Sequence, residues 1–343
     1  MKRIGFCCKY ISDVSEVNGI GSASESRQYN TGTTTVSWLS KQSVLVAEDK
    51  LWELLRRNLA ATQRLVERVG EQDANLRMVR LSSDILCCYT HRDWNWFWSQ
   101  GCVRRYASEA FATIGRIARD NDIRLSFHPG QFCCLASDRP DVITNSIAEI
   151  EYHADMARWM GYGSDFHDHG FKINIHISGR GGIEQFKRSL ALLSPVARNL
   201  ITVENEEMTY GLDDCIAVSD DVPVVLDIHH HWVREGNYID RRDDRVSRVI
   251  DSWRGIRPTL HYSVSRRDLL ADHCSSTRPD HSLLLESGKN KQKLRAHSDF
   301  YWNTGLNDWA LEFLEYFDIQ CEAKGKNIAS AELYKRAKEL NIL

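Results

Sequence analysis

Thirteen histidines and 47 carboxylates give this 343-residue chain many nitrogen and oxygen donors, and several of them recur in one kind of setting. Ser126-Phe127-His128, Asn174-Ile175-His176, Thr202-Val203-Glu204, Leu226-Asp227-Ile228-His229-His230-His231, Leu260-His261-Tyr262 and Cys321-Glu322-Ala323 each place a His, Asp or Glu at the end of a short apolar run. His297 stands separately in Ala296-His297-Ser298. One such residue is an ordinary polar rim side chain, but a succession of them is a ligand set. Imidazoles mixed with carboxylates suit Zn²⁺ or Mn²⁺, and they outnumber the four ligands of one tetrahedral ion, so two or three clustered ions are expected. Such clusters activate water and neutralise the attacking and leaving oxygens of a phosphodiester, with Glu204 or Glu322 able to bridge two ions. Sugar isomerases use comparable clusters, so the reaction stays open on this evidence. So does the choice among His229, His230 and His231.

Elements that could bring these residues together are legible in the hydrophobic pattern. Apolar, β-rich runs cover residues 4–8, 78–82, 123–128, 171–177, 200–204, 222–228, 259–263 and 317–322. Helical periodicity fills the intervals at 51–69, 106–120, 142–160, 183–193, 212–218, 246–253 and 306–316. A last helix over 330–343 has Ser330 as its N-cap. Eight strands alternating with helices imply a parallel sheet with crossovers, either a closed (β/α)₈ TIM barrel or an open doubly wound sheet. The first strand lacks a G-x-G-x-x-G turn, which disfavours a dinucleotide fold. A barrel gathers all strand C-termini round one pocket, so the chain reads as a single TIM-barrel domain over 1–343. Three segments interrupt the rhythm and would be long loops on the catalytic face: 12–50, 91–102 with its Trp94, Trp96 and Trp98, and the basic stretch 265–296.

The net charge of −3 excludes a histone-like polycation but allows a local basic face. No apolar stretch approaches a membrane span, and there is no signal-peptide pattern. Three adjacent Cys pairs (Cys7-Cys8, Cys87-Cys88, Cys133-Cys134) without a C-x-x-C suggest buried reduced thiols and a cytoplasmic protein. Arg104-Arg105, Arg241-Arg242, Arg266-Arg267, Lys289, Lys291, Lys293 and Arg295 are candidate phosphate contacts. The tryptophan cluster would either stack on bases or pin its loop.

The chain resembles the UV damage endonucleases, relatives of the endonuclease IV nucleases. The resemblance rests on Gly5-Phe6-Cys7-Cys8, Arg80-Leu81-Ser82-Ser83-Asp84, His128-Pro129-Gly130-Gln131-Phe132, His176-Ile177-Ser178-Gly179, Glu204-Asn205-Glu206, Asp227-x-x-His230, His261-Tyr262-Ser263, His297 and Glu322-Ala323-Lys324-Gly325-Lys326. It implies a TIM barrel that nicks double-stranded DNA immediately 5′ of cyclobutane pyrimidine dimers, 6-4 photoproducts and some abasic sites. The implied cofactor is a Mn²⁺ cluster held by His128, His176, Glu204, Asp227, His230, His261, His297 and Glu322. Among these, Glu204, Glu322, His128 and His261 would be catalytic. Asp84 and Asn205 would be ligands or would orient them. Gln131 and Phe132 would probe the duplex, and Phe6, Cys8, Tyr10, Lys324 and Lys326 would line the lesion and DNA surface. The family commonly has a lysine near the metals where this chain has Thr259, which puts the number of ions in question. Other readings consistent with the ligand set are an apurinic-site endonuclease, a sugar isomerase or epimerase, and a damage-binding protein without catalysis. No obligate protein partner is implied, and the protein is expected to be a monomer.

Overall fold

A computed structural model describes residues 1–17, 19, 25–270 and 272–343. Eight parallel strands close into a barrel in sequential order: β1 (Ile4–Cys7), β2 (Met78–Arg80), β3 (Arg124–Phe127), β4 (Lys172–His176), β5 (Ile201–Glu204), β6 (Val224–Asp227), β7 (Thr259–Tyr262) and β8 (Asp318–Cys321). The closed barrel, not the open sheet, is therefore the fold. Each strand is followed by a main outer helix: α1 (Val44–Gly70), α2 (Gly101–Asp120), α3 (Pro140–Trp159), α4 (Gly182–Leu190), α5 (Leu212–Ile216), α6 (Asp244–Ser252), α7 (Thr304–Glu312) and α8 (Lys326–Glu339).

Three helix starts precede the sequence pattern by four residues or more, α2 among them, at Gly101 rather than 106. α1 begins at Val44, capped by Ser43, because its first turn is exposed and carries no inward stripe to read. α8 begins at Lys326, so Ser330 lies inside the helix and bonds back to the Asn327 carbonyl instead of capping. The three long interruptions hold short helices: Val36–Leu39 before α1, Asn95–Ser99 before α2, and His281–Glu286 and Lys291–Leu294 within 265–296. Residues 18, 20–24 and 271 of those segments lie outside the described residues. Trp94 and Trp98 are buried and Trp98 Nε1 donates to the Cys87 carbonyl, so these two pin the loop, whereas Trp96 is exposed. Helix Ile228–Glu235 is inserted directly at the end of β6.

One end of the barrel is plugged by charge. Asp318, fully buried at the start of β8, accepts from Arg124 Nη1 at 2.8 Å, Arg257 Nε at 2.9 Å and the Arg3 main-chain N–H at 2.9 Å. Such a buried charge cluster is tolerated because the Asp318 carboxylate is paired with several cations, although Arg124 Nη2 and Arg3 Nε are left without a partner among the described residues. The opposite end is open, and there the strand C-termini meet.

Candidate metal centre

On β4, side chains two apart share a face, so Lys172, Asn174 and His176 all project into the barrel. His128 follows β3 directly, Glu204 and Asp227 end β5 and β6, His261 lies on β7, and Glu322 follows β8. Single ligand atoms of His128, His176 and Glu204 lie within 4.8 Å of one another, as do those of Glu204, Asp227 and His261. Glu204 is thus common to both groups. It is 1% exposed, its Oε1 is 2.9 Å from His261 Nδ1, and its Oε2 is 3.3 Å from His128 Nε2. Asn174 Nδ2 donates to Oε2 and is itself fixed by Thr202 Oγ1 at 2.8 Å.

Asp227 does two things. Its Oδ1 caps helix Ile228–Glu235 by accepting the His230 N–H at 2.7 Å. Its Oδ2 is buried and has no hydrogen-bond partner among the described residues. A buried carboxylate oxygen without a donor is costly, and a cation is the natural complement. The residues present therefore fit a divalent ion. The cap also selects among the three histidines. It turns His230 to the cleft, with Nδ1 3.6 Å from Asp227 Oδ2 and Nε2 3.6 Å from Glu207 Oε2. His229 bonds the Leu294 carbonyl and His231 bonds Asn237.

The electrostatics follow from crowding charge in a buried space. Burial pushes the His128 imidazole down to about 4 and also lowers His261 and His297. Burial opposes the His230 cation too, but Asp227, Glu204, Glu207 and Glu322 outweigh it and raise the ring to about 9. Burial disfavours the Glu204 anion, yet His261, His176 and His128 hold it well below the usual carboxylate range. Glu322 is likewise held low against burial by Arg80 and His261. Burial raises Asp227, with His230 pulling against it.

His128, His176, Glu204, His230 and Glu322 line an open cleft of about 660 Å³ with Gln131, His297 and Arg295, whereas Asp227 and His261 are fully buried and are not in its lining. His297 is held there by an isolated antiparallel β-bridge to Ser265, and its Nδ1 contacts the Glu322 carbonyl at 3.1 Å. Segment 265–296 thus supports His297 and carries Arg295, whose Nη1 is 2.8 Å from Glu207 Oε1. Gln131 faces the cleft, while its neighbour Phe132 is 84% exposed beside a second cavity of about 310 Å³. Gly179, at φ 123°, packs so closely on Ala136 that a Cβ would sit 2.3 Å from the Ala136 oxygen, which fixes the β4 loop against the loop bearing Gln131.

Several expected residues lie elsewhere. Asp84 is exposed on its loop and belongs to neither ligand group, because its segment is anchored through its main-chain carbonyl to Asn58 instead. Asn205 is buried and pairs with the Asp227 main chain in both directions at 2.9 Å, and it belongs to neither ligand group. Phe6 is in the hydrophobic core and Tyr10 packs on it. Both line a separate cavity of about 210 Å³ near Arg68, away from the cleft, because β1 turns Phe6 outward toward the helices. Cys8, half-buried at φ 66°, sits beside Arg80, its N–H donating to the Arg80 carbonyl at 2.7 Å. Lys324 is exposed and pairs with Asp299 at 3.1 Å; Lys326 is half-buried at the start of α8.

The structure also adds members that the motif reading left without a role. Arg80 is ion-paired to Glu322 and lines the cleft. Glu207 follows Glu206 on the same turn and faces His230. Thr259 is buried, and its hydroxyl has no partner among the described residues. The lysine beside His261 is instead Lys172, from β4, with Nζ 3.2 Å from His261 Nε2, and burial lowers its ammonium to about 7. The period-two alternation Lys172, Asn174, His176 was the available signal for the first two.

Comparison with known proteins agrees with this geometry. Residues 3–342 match the family described as UV-endonuclease UvdE. A UV DNA damage endonuclease from Bacillus velezensis is 28% identical over 317 residues, covering 88% of this chain and 87% of that one. One from Bacillus mycoides is 26% identical over 322 residues, covering 88% and 86%. The crystal structure of SacUVDE superposes with a TM-score of 0.72 at 23% identity over the whole of both chains. Endonuclease IV from Thermus thermophilus shares the fold at a TM-score of 0.52 and 14% identity, covering 81% of this chain and 94% of that one.

Proposed function

Since the chain belongs to the UV-endonuclease UvdE family, we propose that it cuts double-stranded DNA immediately 5′ of UV photoproducts, at a metal centre in the barrel mouth. The observation that carries this reading is the adjacency of two ligand groups sharing Glu204 to an exposed Gln131-Phe132 pair only three and four residues beyond His128. Divalent ions bound there, Mn²⁺ by the resemblance and Zn²⁺ as the alternative, supply Lewis acidity toward water and phosphate oxygens. His128, His176, Glu204, Asp227, His230, His261, His297 and Glu322 would hold them.

The protein's own residues do the remaining work. Phe132 inserts into the stack and Gln131 fills the vacated pairing position, which holds an extruded dimer out of the helix. A dimer stacks and pairs poorly, so extrusion costs less than for intact bases and damaged sites are selected. An abasic site leaves the same gap, so the reading extends to it. Arg80 presents a fixed cation to the scissile phosphate, and Glu204 and Glu322, both kept ionised by their neighbours, are carboxylates that would hold the ions. Arg295 and Lys324 grip flanking phosphates, which makes binding weaken with salt.

The test is relaxation of UV-irradiated supercoiled plasmid by purified protein with Mn²⁺, beside unirradiated plasmid and a chelator control. Relaxation confined to irradiated DNA and abolished by chelator is expected. Irradiated plasmid left intact in Mn²⁺ refutes the proposal.

A further inference from the structure

We infer that Glu207 is a metal ligand: its Oε2 joins Nε2 of His230 and Nε2 of His297 in a third ligand group at the mouth of the cleft. The inference rests on the metal-dependent reading above and adds a residue to it. Among the described residues, neither histidine belongs to the two groups that share Glu204. Both rings are backed in the same way. His230 Nδ1 is 3.1 Å from the Asn205 carbonyl, and His297 Nδ1 is 3.1 Å from the Glu322 carbonyl. A carbonyl only accepts, so the proton of a ligating ring sits on Nδ1 and Nε2 is the nitrogen presented to an ion. The two rings are neighbours, with centroids 6.3 Å apart.

The carboxylate is oriented as well. Arg295 Nη1 holds Glu207 Oε1 at 2.8 Å, which leaves Oε2 turned to His230 Nε2 at 3.6 Å. The ion pair and the ligation use different oxygens, so they do not compete. A separation of 3.6 Å is too long for a hydrogen bond. It suits two ligand atoms on one ion, because bonds of about 2.0–2.2 Å at a tetrahedral angle set their ends about 3.3–3.6 Å apart. Glu322, the other carboxylate near these rings, is turned to Arg80 and His261 instead. All three side chains of the group line the cleft beside Gln131. Two histidines and one glutamate make the donor set of a catalytic ion, with a position left open for water or a substrate oxygen. Glu207 follows Glu204 by three residues, so the end of β5 and its turn supply carboxylates to two levels of the site.

The test compares Glu207→Gln, His297→Gln, their double variant and Arg295→Met in the full-length protein. Bound Mn²⁺ per chain is measured by elemental analysis and its retention by chelator competition, with melting of the metal-free forms to monitor folding. Glu207→Gln keeps the shape of the side chain and an oxygen for Arg295 but loses the anionic ligand, so it should bind one Mn²⁺ fewer per chain than wild type. His297→Gln should lose the same ion, and the double variant should lose no more than either, because the two side chains act on one site. Arg295→Met leaves the carboxylate in place and should keep the full complement. If Glu207→Gln fails to fold, Glu207→Ala read in the same way decides the matter. Mn²⁺ content equal to wild type with retention within about twofold in Glu207→Gln, or an equal loss in Arg295→Met, overturns the proposal. Wild-type protein that retains Mn²⁺ but ignores damaged DNA contradicts the substrate reading and leaves the role of Glu207 standing. Wild-type protein that retains no Mn²⁺ overturns both.

Discussion

Phe132→Ala isolates recognition from both folding and metal binding. The side chain is 84% exposed, so its removal should change stability by no more than about 0.5 kcal/mol, as for other surface substitutions. It touches none of the ligand groups, so Mn²⁺ content should be unchanged. Its proposed work begins only when it enters the duplex. Base–aromatic stacking lost to alanine is worth about 1–3 kcal/mol, and about 1.4 kcal/mol is tenfold. kcat/KM on a duplex carrying one cyclobutane dimer should therefore fall about 5- to 140-fold. Phe132→Tyr keeps the ring and should stay near wild type. The same dimer in single-stranded DNA needs no wedge, so the variant should lose little there. Steady-state nicking of matched duplex and single-stranded substrates, with thermal melting alongside, measures all of this. An equal loss on both substrates, or no loss on the duplex, would refute the wedge reasoning.

Three further outcomes follow from the electrostatics. Arg80→Met leaves Glu322 without its buried partner, so the metal-free protein should lose about 3–5 kcal/mol, and saturating Mn²⁺ should recover most of it in chemical denaturation. Asp318→Ala strands Arg124 and Arg257 at the closed end of the barrel, with a loss of similar size, yet Mn²⁺ bound per molecule should not change. Fully buried His153, which contacts Ser83 Oγ at 2.9 Å, is pushed down to about 4 by burial. Its unfolded form takes up a proton near pH 6.5 while the folded form does not. Its contribution is therefore intact above pH 6.5 and falls by about 3 kcal/mol as pH drops to 4, at about 1.4 kcal/mol per unit. His153→Gln should flatten that part of the stability–pH curve, and an unchanged curve would show that the slope arises elsewhere.

All eight strands were legible as short β-rich runs alternating with helical periodicity, and six of them carry a His, Asp or Glu at or just beyond the C-terminal end. That end is also where the ligands stand, so fold and candidate site were visible through one pattern. Features that depend on three-dimensional convergence were not. Lys172 and Asn174 looked like polar interruptions of β4 and gain meaning only when the barrel closes over His261 and Glu204. Arg80 lay inside a recognised motif, but only closure of β1 and β2 onto β8 brings it to Glu322. Phe6 and Asp84 were read by position in a motif, and the local direction of their side chains put one in the core and the other in solvent. Among His229, His230 and His231, periodicity alone could not choose. The Asp227 cap, which starts a helix immediately after β6, makes the choice.

The central claim is damage-directed, metal-dependent cleavage at a defined bond. The most direct measurement is mapping of the cut in an end-labelled duplex with a single cyclobutane dimer, using Mn²⁺-loaded wild type and Glu204→Gln. The account predicts one product ending at the phosphodiester immediately 5′ of the dimer, none from the undamaged duplex, and at least a hundredfold less from Glu204→Gln, on the scale of about 2.7 kcal/mol at about 1.4 kcal/mol per tenfold. Cleavage of the undamaged duplex at the same rate, or undiminished cutting by Glu204→Gln, would contradict it.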